Sequence, residues 1–277
     1  MGLRINTNTA SITAQRMLSH TKNDLSSNLR KLSSGQRITR AADDAAGLAI
    51  SEKLKSQIRS IGQAKRNADD GISLIQTAEG GLSEISNIII RLRELAVQTA
   101  SDTIGDTERG FSNIEFQQLK EEVQRIAETS EFNGRQLLDG SGGLAEIQIG
   151  YNNDPFKDRL TYDGSQIGST LADLALTGET VSNKESAQLA MRKLDDALVK
   201  VNGNRATLGA LQNRLTSVIE TLGITEENFS EANSRIRDVD VAKETAAMAK
   251  NQILTQAGTS VLAQANQMPN FALKLLG

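Results

Sequence analysis

The chain has 277 residues and a formal charge of −3, with 31 Lys and Arg against 34 Asp and Glu. No long run of either sign occurs, so nucleic acid is not an expected partner, because phosphate neutralisation needs a clustered basic surface. Aromatic residues make up 3%, Trp and Cys are absent and Pro occurs twice, which is the composition of long helices packed side by side rather than of a cleft-bearing enzyme.

The first ten residues lack the apolar run of a secretory signal, and no stretch approaches the roughly 20 apolar residues of a spanning helix. Membrane insertion is therefore not expected, and export would need a route that reads no cleavable signal. Leu18, Leu25, Leu29 and Leu32 mark an apolar stripe on a first, polar helix. The loop Ser33–Asp44 then separates that helix from the body. From Leu54 the apolar positions run Leu54, Ile58, Ile61, Ala68, Ile72, Ile75 and Leu82, interrupted at Lys65 and Glu79, and resume one residue out of step as Ile85, Ile89, Leu92 and Ala96. This spacing predicts a coiled-coil helix of about 65 Å with a slip in its register. Phe116, Leu119, Val123 and Ile126 predict a shorter helix ending near the turn Phe132-Asn133-Gly134.

The period then changes. Ala145, Ile147 and Ile149 alternate with Leu144, Glu146 and Gln148, and Arg159–Asp163 follows a loop rich in Gly, Asn and Asp, which predicts a β-hairpin. Residues 164–182 are weakly patterned and are expected to form a surface connection, with Ser182 or Asn183 capping the next helix. That helix carries Ala187, Ala190, Leu194, Ala197, Val201, Leu208, Leu211, Leu215, Val218, Leu222, Phe229, Ala232, Ile236 and Val239. At about 80 Å it cannot bury its stripe against itself and needs the Leu54–Ala96 helix as an antiparallel partner. Asn204 falls on this seam, where a polar residue fixes register at a cost in stability, so Asn204→Leu is expected to raise the melting temperature. The last stripe, Leu254, Ala257, Val261, Ala265 and Met268, lies on a second polar terminal helix. Helices this polar are marginal alone and order against partners.

No catalytic constellation, cofactor or metal site is expected. His20 is the single histidine, which removes both a His-pair metal site and imidazole proton shuttling. Asp43-Asp44, Asp69-Asp70 and Asp195-Asp196 are read as solvated faces, since helical neighbours point about 100° apart. Ile88, Arg91, Leu95 and Gln98 share one face, opposite Ile89, Leu92 and Ala96. Either the helix is buried on two sides, or an exposed Leu beside Arg and Gln forms a recognition surface.

Six ordered segments bear a resemblance. Leu32-Ser-Ser-Gly-Gln-Arg-Ile38, Ala42-Asp-Asp-Ala-Ala-Gly-Leu-Ala49, Arg93-Glu-Leu-Ala-Val-Gln98, Glu131-Phe-Asn-Gly134, Ser234-Arg-Ile236 and Gln256-Ala-Gly-Thr-Ser-Val-Leu-Ala-Gln-Ala-Asn266 resemble the signature segments of bacterial flagellins, over residues 1–140 and 183–277. The resemblance implies a minimal form without outer variable domains and a helical homopolymer serving motility. It implies a filament-core domain from 1–40 and 241–277 whose terminal helices pair coaxially, a helical bundle from 41–140 and 183–240, and 141–182 in place of the variable region. On this reading Leu18, Leu25, Leu29, Leu32, Leu254, Ala257, Val261, Ala265 and Met268 are filament-core residues. It further implies type III export, contact with a flagellar export chaperone, cap and hook-associated proteins, and an extracellular filament as location. Arg91, Leu95 and Gln98, with Glu115 on the next helix, resemble the site read by Toll-like receptor 5. The hook–filament junction protein is the nearest structural rival, and a chemoreceptor-like coiled coil is the rival from another class.

Overall fold

The computed structural model describes residues 7–274, with side chains as far as Met268. The opening residues used to judge export and the last three residues lie outside the described residues. In chain order the elements are α1 (Thr9–Ser34), α2 (Ala45–Thr99), α3 (Asp106–Thr129), β1 (Glu131–Phe132), β2 (Arg135–Gln136), β3 (Leu144–Gln148), β4 (Arg159–Asp163), α4 (Lys184–Arg237) and α5 (Val241–Lys274). The expected α-dominated architecture with a small hairpin is what forms. The chain divides into two compact units, Met1–Ile58 with Glu227–Gly277, and Arg59–Glu226. The divisions fall inside α2 and α4, away from the loop at 35–44 and the break after Arg237.

In the second unit α2 and α4 run antiparallel. Three ion pairs follow their seam: Arg93 to Asp195 at 2.6 Å, Arg205 to Glu79 at 3.0 Å and Lys65 to Glu226 at 3.1 Å. Asp195 is thus a partner of Arg93, not a free solvated acid. The apolar stripe of α4 buries as its spacing predicts, from Ala187 to Leu222. The stripe of α2 differs from the expectation. Among its buried residues, Ile61, Ala64, Ala68, Gly71, Ile75, Ala78, Leu82, Ile85, Ile89, Leu92 and Ala96 form one seam, an unbroken alternation of three and four with no slip. The apparent slip comes from running the seam through Lys65, Ile72 and Glu79 instead of the small residues Ala64, Gly71 and Ala78 one position earlier. Small side chains on a seam let two helices approach closely, so size alone does not rank a position as exterior.

α3 ends in the tight hairpin β1–β2, whose turn residues Asn133 and Gly134 both have positive φ, 51° and 75°, the geometry that matches the twist of flanking strands. β3 and β4 pair antiparallel from Leu144 opposite Asp163 to Gln148 opposite Arg159. Tyr162 on β4 is buried, and its hydroxyl donates to the Leu137 carbonyl at 2.9 Å.

Residues 164–182 are not a simple surface connection. Ile167, Ser169, Leu174, Leu176 and Val181 are buried in the core. Polar side chains on the helices hold the segment down, Gln124 accepting from Leu171 N–H and Asn113 from Val181 N–H among them. The Asn204 amide on α4 donates to the Ile167 carbonyl at 3.2 Å. Lys120 on α3, itself buried, donates to the Thr177 and Glu179 carbonyls at 3.1 and 2.8 Å. Burial pulls the Lys120 ammonium below its ordinary pKa, and the nearby Glu179 carboxylate opposes that shift. Asn183 caps α4, accepting from the Ser186 N–H at 2.8 Å.

The first unit explains three of the six sequence segments. α1 ends at Gly35, and an antiparallel bridge joins Gln36 to Asp238, flanked by Arg37 N–H to the Arg237 carbonyl at 2.7 Å and Val239 N–H to the Gly35 carbonyl at 3.0 Å. The segments around Ser34 and Arg235 therefore meet as one neck, and Val239 belongs to it rather than to α4. Asp44 caps α2 and Asp43 holds the turn just ahead of it, which corrects their reading as solvated acids. Asp43 accepts from Thr39 N–H, Thr39 Oγ1 and Arg40 N–H, and Asp44 accepts from Gly47 N–H at 2.8 Å. The Thr39 hydroxyl holds the Asp43 carboxyl below its usual pKa. α2 consequently begins at Ala45, well ahead of the Leu54 from which the apolar spacing is read. A side chain at Gly47 would force Asp44 and Ile38 to shift, because a Cβ would stand 2.4 Å from Asp44 Oδ2 and 2.8 Å from Ile38 Cδ1.

Two substitutions check these assignments by thermal melting. Gly47→Ala forces the cap and Ile38 apart and is expected to destabilise by about 1–3 kcal/mol, as overpacking does; an unchanged melting temperature contradicts the close approach. Asn204→Leu removes the donor from a buried carbonyl at a cost of about 1–3 kcal/mol, so the melting temperature falls. A rise would restore the reading of Asn204 as a destabilising seam residue.

Candidate functional site

α1 and α5 pack antiparallel along a narrow seam. Ser11, Ala14, Leu18, Thr21, Leu25, Asn28 and Leu32 face Glu244, Met248, Asn251, Thr255, Gly258, Leu262 and Ala265, each series spaced by alternating threes and fours. Near the open end Asn8 Nδ2 donates to the Ala265 carbonyl and Ser11 Oγ to Asn266 Oδ1, both at 2.7 Å. The seam is thin in apolar groups. Asn28 is the one buried residue of α1, at 8% exposure, and Ala265 is the one buried hydrophobic of α5 among its described side chains.

Of the stripes read from the sequence, Leu18, Leu25, Leu32 and Ala265 lie on this seam. Leu29, Leu254, Ala257, Val261 and Met268 do not. Leu29 is 49% exposed and Val261 57%, with Leu254 and Met268 also exposed. Together with Ile12 and Met17 they leave unit 1 with an apolar outer surface that nothing among the described residues covers. Part of it is a groove of about 650 Å³ floored by Leu18 and lined by Ala10, Met17, Leu254, Ala257 and Val261. Exposed apolar surface of this kind marks an association face. The residues missed in the sequence are Asn28, Glu244 and Asn251, because a ranking by hydrophobicity assigns the seam to Leu29, Leu254 and Val261.

The second candidate is the face of α2 turned toward α3. Arg91 reaches Glu115 with two guanidinium nitrogens, at 3.0 and 2.8 Å, and Glu94 with a third at 3.0 Å. The Glu115 carboxylate raises the Arg91 pKa above its ordinary value, with Glu94 adding to it. Arg91, Glu115 and Gln98 are exposed, and so are the apolar Ile90, Phe111 and Ile114. Leu95 is not. At 2% exposure it belongs to the core with Phe116 and Ala96, which corrects the reading of an exposed Leu anchor. Ile88 is also partly buried against that core, so α2 is packed on two sides at this level. Among the described residues no group of three or more His, Cys, Asp and Glu could hold a metal ion, and no helix is long and apolar enough to cross a membrane.

With this geometry in hand the comparisons with known proteins are decisive. The model of the bacterial flagellin N-terminal helical region matches residues 5–142, and that of the C-terminal helical region matches residues 191–276. The chain is 44% identical over 272 residues to a flagellin of Halalkalibacterium halodurans, with 98% of this chain and 99% of that protein covered. It is 42% identical over 284 residues to the flagellar filament 30.7 kDa core protein of Treponema maltophilum, at the same coverage. A crystal structure of Bacillus cereus flagellin is 34% identical with a TM-score of 0.51, covering 57% of this chain and 88% of that one. A putative flagellar hook-associated protein from Vibrio parahaemolyticus shares the fold, with a TM-score of 0.59 over 71% of this chain and 100% of that one, at 13% identity. The chain belongs to the bacterial flagellin family and is a structural, non-enzymatic subunit that self-assembles into the flagellar filament.

Proposed function

We propose that the outward apolar stripe of the terminal pair, Leu254, Val261 and Met268 on α5 with Ile12, Met17 and Leu29 on α1, is the surface through which neighbouring subunits pack in the filament. The observation that carries this is that the most buried residue of α1 is Asn28, while Ile12, Met17, Leu29, Leu254, Val261 and Met268 all stand exposed. Polymerisation then supplies the burial that the monomer lacks, so assembly and ordering of the terminal helices are one coupled process. The same ends, before assembly, are what a flagellar export chaperone, the filament cap and hook-associated proteins bind. The subunit leaves the cell through the type III flagellar apparatus and works outside it.

Deletion of 241–277 is expected to abolish filaments while the melting of the α2–α4 body persists. The sharper test is Leu254→Asp with Val261→Asp, which adds charge to the stripe without touching the seam. Circular dichroism should stay as in the parent, and seeded growth followed by electron microscopy should stop. Growth at the parental rate would remove the stripe from the interface.

A second reading is favoured by the Arg91–Glu115 pair. An arginine held by two carboxylates beside exposed Ile90, Phe111 and Ile114 combines a charged fork with apolar surface, the residue types that dominate small interfaces. We infer that Toll-like receptor 5 reads Arg91, Gln98 and Glu115, with Leu95 supporting the face from beneath. In a receptor-reporter assay on monomer, Arg91→Ala should lose activity without loss of stability. Leu95→Ala should lower stability by about 2–5 kcal/mol, as buried Leu truncations do. Full activity of Arg91→Ala would eliminate the face.

A further inference from the structure

The loop between β3 and β4 holds an aromatic ring out in water. Phe156 is 90% exposed, the most exposed large apolar side chain among the described residues. Leaving roughly 150–250 Å² of aromatic surface in solvent is unfavourable, and a slack loop would fold the ring back. This loop is not slack. Asp154 Oδ1 accepts from the Phe156 and Lys157 N–H groups at 2.9 and 3.3 Å. The buried Asp158 accepts from the Asp154 N–H at 2.9 Å through its carboxylate, and from the Ile149 and Gly150 N–H groups at 2.8 and 3.0 Å through its carbonyl. Gln148 Nε2 donates to the Gly150 and Asn152 carbonyls at 3.0 and 2.8 Å, and Arg159 donates to Asn153 Oδ1 at 2.6 Å. Pro155, with its fixed φ, immediately precedes the ring. The loop closes at Gly150, where a Cβ would stand 1.8 Å from Asp158 Oδ1. An aromatic side chain carried on a preorganised tip is an anchor for a pocket, because little ordering remains to be done on binding.

The same unit carries a groove of matching chemistry. It lies between α2, the β1–β2 turn and β3 and has a volume of about 500 Å³. Roughly 150 Å³ is enough to hold a benzene ring, so a phenyl group and the backbone that carries it have room. Leu74, Phe132 and Ile147 supply apolar lining, and Asp70 and Arg135 add one charge of each sign. Asp70 is exposed, and Arg135 donates to the Leu144 carbonyl at 3.0 Å instead of to a carboxylate. The tip offers the complement. Lys157, 83% exposed, follows the ring and Asp154 stands two residues before it, with the two charges 3.7 Å apart. A ring entering the groove can set Lys157 against Asp70 and Asp154 against Arg135, opposite charges in both cases.

We propose that Phe156 of one copy seats in the groove formed by Leu74, Phe132 and Ile147 of a second copy, with Lys157 paired to Asp70. Phe156 does not line its own groove. Knob and groove are different patches, so the contact is head-to-tail, and a head-to-tail contact that does not close continues as a helical polymer. The occupant is a second copy because the chain self-assembles into a filament and because the charges flanking ring and groove are opposite. The contact uses only residues between Arg59 and Glu226, so it stands or falls independently of the terminal stripe.

Hydroxyl-radical footprinting of the unaltered protein reads the ring directly. Phe156 should be modified rapidly in monomer and several-fold more slowly in filament. Equal rates overturn the proposal, because the tip then faces solvent or a different molecule. Cross-linking reads what covers the ring, and the absence of native cysteine leaves a clean background. Lys157→Cys and Asp70→Cys, made in separate chains, replace exposed side chains and leave Phe156 in place. Assembled from an equal mixture and oxidised, they should give a disulfide-linked dimer that neither variant gives alone. A protected Phe156 with no crossed dimer means that another surface of the neighbour covers the ring, and it overturns the groove assignment. Charge reversal checks the pairing without thiols: Lys157→Asp and Asp70→Lys should each lower the temperature at which filaments disassemble, and together should recover it. Additive losses overturn the pairing. Phe156→Ser should melt as the parent does in monomer, where the ring is in solvent, while its filaments disassemble at a lower temperature; disassembly at the parental temperature overturns the anchor. Loss of this contact weakens filaments that still grow, whereas charges placed on the terminal stripe stop growth, so the two interfaces are scored apart.

Discussion

A long helix with one apolar stripe must find a partner for it, and nearly every feature of this chain follows from how that demand is met in its two units. In Arg59–Glu226 it is met within the chain. The stripes of α2 and α4 close on each other, α3 and the β3–β4 hairpin cover the remaining flank, and the connection at 164–182 is drawn in until Ile167, Leu174, Leu176 and Val181 are buried. In the unit made by the two chain ends the same demand is left largely open. One buried Asn and one buried Ala are the most enclosed residues that the described parts of α1 and α5 contribute, and local stability scales with such buried apolar contact. A subunit of this design has its apolar burial in the middle and little of it in the terminal pair, which fits the proposal that the ends pack between subunits.

The large apolar spacing of α4 is legible in the sequence, as are the helix around Phe116 and Val123, the Asn133-Gly134 turn and the β3–β4 strands, because each is set by local periodicity and by one kind of side chain. Three things are not. The α2 seam reads as slipped because Ala64, Gly71 and Ala78 carry little hydrophobicity yet are buried on it. The start of α2 lies ahead of Leu54, since Asp44 and Gly47 act through a cap and a steric fit rather than through a pattern. The 164–182 segment looks like a surface loop because the groups that retain it, Asn204 and Lys120, are polar residues on other helices.

The candidate sites divide along the same line. Arg91, Gln98 and Glu115 are exposed, as a helical wheel suggests, while Leu95 is core; the wheel gives direction but cannot say that α3 lies there. On the terminal helices the sequence places Leu29, Leu254, Val261 and Met268 inside, whereas they stand exposed and Asn28 bonds to Asn251 across the seam. Several family segments acquire physical reasons in the process: Asp43, Asp44 and Gly47 build one cap, residues around Ser34 and Arg235 build one neck, and Gly258 makes room for Leu18.

The central claim is that the terminal helices complete their burial only between subunits. Amide hydrogen exchange on monomer and on filament measures this element by element. Amides of α1 and α5 should be weakly protected in monomer and become strongly protected in filament, while those of α2 and α4 between Arg59 and Glu226 stay protected in both states. Equal protection of α1 and α5 before and after polymerisation would contradict the account.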